Sequence, residues 1–306
     1  MSMMRTVYNR LKPGIVLAAC LSILGITAPT VHATESGGGA YPNGAEGFGA
    51  GMLPPPGTYL LNYFNVYNAP HLNNGSGNSM VSDFNLTAVV NALRLVHVTK
   101  IELLGGNLGG HLLLPIVNLD VTMGGRSQSR FGLGDLTVGP LLTWHTKNLH
   151  TAIGLDTTMP SGRYDKNDLA NIGRNYWTFE PIVAATWLTD SGFELSGKFM
   201  YDINTKNSDT DYLSGQEFHV DYTVAQKFNN FSAGLGGYFY KQVTDDELHG
   251  TKVPVNDGFK GQAFALGPQL KYDYKNMFFI LKYQREMAVE NRPEGNKFWF
   301  KMMYAF

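Results

Sequence analysis

After Gly57, apolar and polar residues alternate along the chain in segments of roughly ten to fourteen residues, and turn-rich pieces separate the segments. The alternation is clearest in "WTFEPIVAATW", where every second residue from Trp177 to Trp187 belongs to one apolar face. A period of two is typical of a β-strand whose two faces meet different surroundings. The pattern predicts twelve strands, over residues 58–67, 84–98, 107–121, 134–145, 149–159, 176–188, 193–204, 216–227, 231–243, 261–274, 277–288 and 297–306.

The connections between these strands distinguish a membrane barrel from a soluble sandwich, which would also alternate. Tight connections such as "YKN" and "FNN" alternate with long ones such as "TDDELHGTKVPVNDGFK". We also count "GGRSQSRFG" as long and "VENRPEG" as medium. Outer-membrane barrels show this rhythm because their periplasmic turns are short and their extracellular loops are long. The prediction is an all-β fold, a single antiparallel transmembrane β-barrel of about twelve strands.

The tryptophans supply a length scale for the strands. Trp177 and Trp187 lie ten residues apart on one face, and such a strand spans roughly 33 Å at about 3.3 Å per residue. A tilt of about 40° reduces this to roughly 25 Å, the height of the apolar band between two aromatic girdles. We expect Trp144 to join Trp187 in the periplasmic girdle, whereas the register places Trp299 on the inner face.

The first 33 residues have the features of a secretory signal. Three basic residues precede the apolar run "IVLAACLSILGITA", and "VHA" ends at a small-residue cleavage position, Ala33. The run is shorter than the roughly 20 residues that a membrane-spanning helix needs. "LAAC" resembles a lipoprotein cleavage box that would place a lipid on Cys20, but the apolar run continues past it. We therefore predict a signal peptide over residues 1–33.

A segment rich in glycine and proline separates the signal from the first strand. Residues 34–57 include "SGGGAYPNG" and three successive prolines, a composition that builds no packed element of its own. The segment either folds into the lumen as a plug or only links the cleavage site to the barrel. The predicted organisation is a signal peptide over 1–33, this segment over 34–57 and the barrel over 58–306.

Composition and charge narrow the function. Without residues 1–33, the chain has 21 basic against 25 acidic residues, a net charge of −4. A nucleic-acid-binding protein would show a strong basic excess. The one cysteine, Cys20, lies in the predicted signal, so disulfides do not stabilise the mature protein.

Several long stretches resemble a known bacterial family. They are "LPPPGTYLLNYFNVYNA", "RFGLGDLTVGPLLTWH", "YDKNDLANIGRNYWTFEP", "MYDINTKNSDTDYLSGQEFHVDY" and "QREMAVENRPEGNKFW". The family is the "meta-pathway of phenol degradation" group of outer-membrane proteins, which includes a sphingosine-induced porin, and the resemblance covers nearly all of residues 50–306. It implies an outer-membrane channel or transporter for aromatic or long-chain apolar compounds. It implies no enzyme, and it supplies no set of binding residues.

The register places a set of polar side chains on the inner face of the barrel. They are Glu180, Glu194, Lys198, Asp202, Glu217, His219, Asp221, Lys282, Gln284, Glu286, Lys297 and Lys301, and Trp299 lies on the same face. Acids and bases that face each other across a lumen can select the solutes that pass. Alternatively, they pair across strands and only fill a polar interior.

An enzymatic barrel is a second class of function. "QEFHVDY" places Glu217, His219 and Asp221 on one face, a grouping that could serve as a general base or a metal site. One histidine between carboxylates is also common in polar lumens, and the chain carries neither a nucleophile-elbow motif nor a His-rich metal motif. A third class is a structural or adhesion barrel, which we would expect to have longer extracellular loops than about seventeen residues.

The predicted extracellular loops carry basic residues where lipopolysaccharide phosphates would lie. They are Arg126, Arg130, Arg163, Lys166 and Arg174. The forked donors of arginine suit phosphate, although ordinary solvated loop charge explains these residues equally well. The piece "GRYDKNDLANIGRN" also predicts one short helix capped by Asp165 or Asn167.

The end of the chain, "KFWFKMMYAF", continues the alternation. Five residues at every second position, from Phe298 to Phe306, would face lipid, and the strand would pair with the one beginning near Thr58 to close the sheet. The family resemblance implies that the terminal aromatic, with Tyr304 and Met302, is the signal that the barrel assembly machinery recognises.

Together these features predict a protein of the bacterial outer membrane. Its predicted partners are outer-membrane lipid, lipopolysaccharide, small-molecule solutes and the assembly machinery, and no nucleic acid. The predicted function is passive uptake of small apolar or aromatic compounds, including long-chain lipid-like ones. A general porin for small polar solutes is the alternative. Transport of this kind needs no catalytic residue, metal or organic cofactor.

Overall fold

The computed structural model describes residues 37–254 and 256–306. The predicted signal peptide, residues 1–33, and the first residues of the 34–57 segment lie outside the described residues. No helix in the described part of the chain is both long and apolar enough to cross a membrane.

Twelve long strands form the main sheet of the described chain. They are β1 Gly57–Leu72, β2 Asn85–Leu103, β3 Gly106–Met123, β4 Arg126–Leu133 continued by Leu136–His145, β5 Leu149–Met159, β6 Thr178–Leu188, β7 Phe193–Asn204, β8 Glu217–Phe228, β9 Phe231–Gln242, β10 Gln262–Tyr274, β11 Met277–Glu290 and β12 Pro293–Ala305. Short strands at Tyr212–Leu213, Glu247–Leu248 and Thr251–Lys252 form a separate small sheet, and a 3-10 helix covers Asn256–Phe259.

Each strand pairs antiparallel with its neighbour in sequence, and β1 also pairs with β12, so the sheet is closed. The closing register runs from Tyr59 opposite Ala305 to Leu72 opposite Pro293, with an irregularity after Asn68. The Phe306 amide donates to the Thr58 carbonyl, 3.2 Å away, and extends the closure to the last residue. The predicted twelve-stranded antiparallel barrel is confirmed.

The connections identify the two ends of the barrel. At one end lie the turns 104–105, 146–148, 189–192, 229–230 and 275–276, together with the start of β1 and the end of β12. The long loops 73–84, 160–177, 205–216 and 243–261 lie at the other end. Because outer-membrane barrels keep short turns on the periplasmic side, the first end is periplasmic and the second is extracellular.

Two extracellular connections are shorter than the sequence suggested. Gly124–Gly125 and Asn291–Arg292 are two-residue turns, so the predictions of a long loop at "GGRSQSRFG" and a medium one at "VENRPEG" are wrong. Gly124 and Gly125 both have positive φ, as a tight hairpin with a type I′ turn requires. In the strand that follows Gly125, the residues "RSQSR" are polar on both faces, so the alternation of apolar residues is lost there.

The outer and inner faces differ as an outer-membrane barrel requires. Large apolar side chains face outward, including Phe179, Val183, Leu195, Phe199, Val224, Leu235, Leu281, Phe298 and Tyr304. Trp177 and Trp187 are 41% and 46% exposed at opposite ends of one strand face, whereas Trp299 is 2% exposed inside. The apolar outer surface and the closed hydrogen bonding place this chain in the bacterial outer membrane.

The wall is interrupted once, at Gly134–Asp135 within β4. Both parts of β4 pair with β3, but only the periplasmic part pairs with β5. Loop 160–177 contacts the break: the Asp135 carboxylate accepts the amides of Gly162 at 2.8 Å and Arg174 at 2.7 Å. The predicted helix is absent from this loop, where the Asp165 carboxylate accepts the Asn167 amide in a turn.

Candidate functional site

Residues 37–56 run through the interior of the barrel, and we call them the lumen segment. At the extracellular end, Gly37 contacts Pro293 at the start of β12 and Gly39 contacts Glu217 at the start of β8. Near the periplasmic end, the Gly51 amide donates to the Thr186 hydroxyl of β6 at 3.0 Å. The segment therefore extends from one end of the barrel to the other before β1 begins.

Asp221 of β8 binds the middle of the lumen segment. Its carboxylate accepts the Tyr41 hydroxyl at 2.7 Å, the Gly44 amide at 2.8 Å and the Glu46 amide at 2.9 Å. Three donors satisfy most of the acceptor capacity of a buried carboxylate.

Lys282 of β11 binds the same turn from the opposite side. Its ammonium group donates to the carbonyls of Gly44 at 2.5 Å, Ala45 at 2.7 Å and Glu46 at 3.0 Å. These bonds use all three donors of the ammonium group. Lys297 of β12 donates to the Asn43 carbonyl at 3.0 Å, so backbone groups of four successive residues are fixed by the wall.

Glu46 is the one acidic side chain that the described lumen segment brings into the barrel. Its carboxylate contacts Lys301 of β12 at 2.5 Å and Arg94 of β2 at 2.9 Å, and it accepts the Tyr63 hydroxyl of β1 at 2.9 Å. Three donors on three strands therefore hold the Glu46 carboxylate.

The periplasmic part of the lumen segment packs closely on β6 and β7. Glu194 of β7 accepts the Gly49 amide at 2.7 Å. A Cβ at Gly51 would lie 2.6 Å from the Ala185 backbone, a distance that real Cβ atoms essentially never show. Only glycine allows the segment to approach the wall this closely at that position.

A cavity of about 110 Å³ remains between the lumen segment and the wall. Its apolar lining comes from the segment and from inner-face residues on both sides, among them Phe48, Leu53, Leu61, Val96, Leu141, Ala152, Ile182, Ala184 and Met303. Among the described residues, no hydrogen bond joins the lumen segment to β3, β4 or β5. On that side the segment and the wall meet through apolar contact and this space.

Charged and polar side chains line part of the same cavity. Arg94, His111, Asp156 and Lys198 all contribute to its lining. The His111 ring nitrogen Nε2 lies 2.7 Å from the Asp156 carboxylate, and both side chains are largely buried. The cavity thus combines an apolar surface with a cluster of hydrogen-bonding and charged groups, as small-molecule sites commonly do.

The structure buries all thirteen residues that the register placed inward. Contacts with the lumen segment involve Glu194, Glu217, His219, Asp221, Lys282, Gln284, Lys297 and Lys301. Glu286 instead accepts the Tyr67 hydroxyl, Trp299 donates to Gln284, and Lys198 lies 3.6 Å from Glu180. Asp202 lies beside His219, with 3.3 Å between its Oδ1 and the ring Nε2.

Sequence reasoning missed the residues of β1, β2 and β6 that complete these contacts. Tyr63, Arg94 and Thr186 all bind the lumen segment. Arg94 had a usable signal, because a charged residue in the middle of a mostly apolar membrane strand has to face the lumen. Tyr63 had none, because a tyrosine fits the inner and the outer face equally well.

The loop residues proposed to meet lipopolysaccharide are only partly free of other contacts. Arg130 forms an ion pair with Asp168, 2.5 Å away, in loop 160–177. The Gln128 amide and the Arg130 guanidinium lower the pKa of Asp168 through these hydrogen bonds. Arg174 lies against Gly38 of the lumen segment. Its guanidinium therefore lies at the extracellular end of the barrel interior.

Several solved structures are similar to this chain. An outer membrane channel from Pseudomonas putida F1 is similar with a TM-score of 0.74 and 19% identity, covering 83% of this chain and 97% of that chain. The translocator domain of the autotransporter NalP from Neisseria meningitidis has a TM-score of 0.47 and 8% identity, covering 83% and 90%. The monoaromatic hydrocarbon channel CymD has a TM-score of 0.44 and 9% identity, covering 90% and 97%.

None of the curated protein sequences matches this chain. A family sequence model does match, over residues 71–302, which span the barrel from the end of β1 to the last strand. This confirms the family resemblance predicted from the sequence. The chain belongs to the family described as "Putative MetA-pathway of phenol degradation".

Proposed function

We propose that this protein lets small apolar or aromatic compounds cross the outer membrane passively, through the space between the lumen segment and the β3–β6 wall. The observation that carries the proposal is the apolar-lined cavity, part of which borders β3, β4 and β5, the strands to which no hydrogen bond of the described lumen segment runs. A solute that avoids water gains from such a surface. A water-filled pore would offer it no advantage.

The size of the cavity supports a solute of one aromatic ring or a thin chain. An apolar cavity of about 150 Å³ binds benzene in another protein, and the space here is about 110 Å³. A small displacement of Phe48 or Leu53 of the lumen segment would supply the difference. Larger solutes would need the segment to move further.

The polar cluster supports a ring that carries one polar group. Arg94, His111 and Asp156 offer donors and an acceptor beside the apolar lining. A phenolic hydroxyl could exchange hydrogen bonds there while its ring contacts Leu141 and Ile182. The family description, which refers to phenol degradation, agrees with this class of solute.

The alternative of a general porin for polar solutes is less well supported. The lumen segment occupies the interior from Gly37 to Gly51, with its backbone bonded to four strands, β6, β7, β8 and β11, and to β12 through Lys297. We also propose transport in preference to catalysis or adhesion, supported by the similar fold of an outer membrane channel.

Uptake into proteoliposomes tests the proposal. Ala152→Phe would fill the cavity, so we expect the variant to lower phenol influx at least severalfold. The matched control is Val183→Phe, which adds the same ring to the lipid-facing side of β6 and should leave influx unchanged. Sugar-driven swelling of the same vesicles measures polar permeation, and rapid, size-limited sugar uptake by the parent protein would contradict the proposal in favour of a general porin.

We further propose that Phe306, with Tyr304 and Met302, is the signal for the barrel assembly machinery, and that the exposed residues Arg126, Arg163 and Lys166 contact lipopolysaccharide. Phe306 is 77% exposed beside the seam between β1 and β12. Deleting it should lower the amount of heat-modifiable barrel in outer-membrane fractions. Trp299→Ala, an inner-face change in the same strand, should leave that amount unchanged.

A further inference from the structure

Three ionisable side chains meet on the inner face of β6, β7 and β8. They are Glu180, Asp202 and His219, and one ligand atom from each lies within 4.8 Å of the others. The His219 Nε2 atom is 3.3 Å from Asp202 Oδ1 and 3.8 Å from Glu180 Oε2. The sequence had grouped His219 with Glu217 and Asp221, but the fold supplies its carboxylates from the two preceding strands instead.

Four of the six polar side-chain atoms of this cluster lack hydrogen bonds within the described chain. Both Asp202 oxygens, Glu180 Oε1 and His219 Nε2 have no hydrogen-bond partner. Asp202 is 0% exposed, Glu180 is 5% exposed and His219 is 1% exposed. A buried carboxylate without compensation is costly, so the arrangement calls for a positive group between these atoms.

His219 is held in the orientation of a metal ligand. Its Nδ1 lies 2.9 Å from the side-chain oxygen of Asn43 in the lumen segment. An amide oxygen only accepts hydrogen bonds, so Nδ1 carries a proton, and in the neutral ring the Nε2 lone pair faces the carboxylates. Metal-binding histidines use this arrangement, in which a hydrogen bond at one nitrogen fixes the tautomer that binds through the other.

Lys198 carries a permanent positive charge beside the cluster, but among the described residues it pairs only with Glu180. Lys198 Nζ lies 3.6 Å from Glu180 Oε1 and also 4.3 Å from the centre of the Tyr41 ring. Asp202 forms an ion pair only with His219, whose charge depends on protonation. The lysine therefore leaves Asp202 and the Nε2 lone pair without a cation.

We propose that Glu180, Asp202 and His219 bind a divalent transition-metal ion, with zinc as the best fit. Zinc binds both imidazole nitrogen and carboxylate oxygen, whereas Ca²⁺ and Mg²⁺ prefer oxygen ligands alone. Ligands at about 2.0–2.2 Å from Zn²⁺ lie roughly 3.4 Å apart in a tetrahedral site. The separations at His219 Nε2, 3.3 and 3.8 Å, are close to that value.

The site connects the wall to the lumen segment, because the histidine that would bind the metal also bonds Asn43. Glu180, Asp202 and His219 do not line the cavity themselves, although Lys198, 3.6 Å from Glu180, does. A barrel that transports no aromatic compound could still bind zinc here, and the two proposals have separate tests.

Metal titration of the purified full-length barrel in detergent tests the inference. A surface pair, His145 and His150, has 3.0 Å between its Nδ1 atoms and could bind zinc adventitiously, so both are replaced by Gln in every sample. After chelation and dialysis, Zn²⁺ is added and binding is measured by calorimetry, with Mg²⁺ in excess. We expect one equivalent of Zn²⁺.

Variants locate the bound ion. Asp202→Asn and His219→Gln should each weaken zinc binding by at least about 100-fold, and Asn43→Ala by about 10–100-fold, as changes to the partners of metal ligands typically do. His111→Gln is the matched control, because His111 is a buried histidine that pairs with a carboxylate outside the cluster. It should bind zinc as the parent does.

Absence of binding, or binding that Asp202→Asn and His219→Gln leave unchanged, would overturn the inference. Heat-modified mobility in gels shows whether each variant has folded. If neither ligand variant folds, X-ray absorption at the zinc edge of the parent decides the question. A shell of nitrogen and oxygen with imidazole scattering supports the site, and a spectrum without imidazole scattering refutes it.

Discussion

The two sides of the barrel interior hold the lumen segment in different ways. On the side of β7, β8, β11 and β12, buried charges bond the segment directly, as in the three contacts of Asp221 and the three of Lys282. On the side of β3 to β5, apolar residues face the segment across a cavity. The same segment is thus fixed along one side and only packed along the other.

A narrow barrel has to hold the lumen segment in place and also leave room for a solute, and the two sides of the interior serve these two roles. Directional bonds fix a backbone position, because each buried donor or acceptor that loses its partner costs free energy. Apolar contacts tolerate rearrangement, because they have no preferred direction. The polar side therefore sets where the segment lies, and the apolar side leaves room for a solute.

Removing the segment should have the largest effect. A chain lacking residues 37–51 would lose both sets of contacts, and a twelve-stranded barrel is too wide for its wall side chains to fill. We expect sugar-driven liposome swelling to rise by on the order of tenfold, since wider barrels enclose aqueous channels. If swelling stays at the level of the parent, the wall closes the lumen by itself and the comparison above is wrong.

A single change on the polar side should loosen the segment without removing it. Lys282→Met leaves the carbonyls of Gly44, Ala45 and Glu46 without their shared donor. Hydrogen bonds to charged groups contribute about 1.5–3 kcal/mol to stability, so we expect a loss of about that size in the free energy of unfolding in detergent.

Lys227→Met is the control for that experiment, because Lys227 forms an exposed ion pair with Asp273 near the periplasmic end of the barrel. Surface ion pairs contribute about 0–1 kcal/mol, and no change in channel noise is expected. Planar-bilayer recordings should show frequent openings for Lys282→Met only. Equal effects of the two variants would show that Lys282 does not fix the segment.

The smallest effect concerns the extracellular end of the apolar side, where loop 160–177 contacts the broken strand β4. Asp168→Asn removes the ion pair with Arg130 and should raise the rate of proteolytic cleavage in this loop slightly. Gln128 and Arg130 lower the pKa of Asp168. The contribution of Asp168 to loop stability is therefore fully present above pH 4, about the ordinary pKa of aspartate, and is lost only at lower pH.

Cleavage of the parent loop should accordingly be equal at pH 7 and pH 5. A steep increase at pH 5 would show that Asp168 is not the group that holds the loop. Asp168→Asn should raise cleavage to a similar extent at both pH values.

The strands and their inner faces were accessible from the sequence, because lipid outside and polar groups inside impose a strict period of two. Trp177 to Trp187 is the clearest case. That signal fails beyond the apolar band, where "RSQSRF" continues β4 but carries no apolar face. The two-residue turn at Gly124–Gly125 was therefore read as part of a long loop.

The sequence did not predict which side chains meet across strands, because these contacts depend on the stagger of the sheet. The meeting of Glu180, Asp202 and His219 requires the relative shifts of three strands, which closure of the barrel determines. The partners of Glu46 have a similar origin. Arg94 and Lys301 lie more than two hundred residues apart in sequence, and they meet only because β1 joins β12.

The course of the lumen segment has a consequence for biogenesis. The segment enters at the extracellular end beside Pro293, traverses the interior and continues directly into β1, which forms the seam with β12. If that seam closes first, the segment has to pass lengthwise through the lumen, from the periplasmic end to the extracellular end. A sheet that curls around the segment before the seam closes avoids this step, and the segment then serves as a template for the barrel.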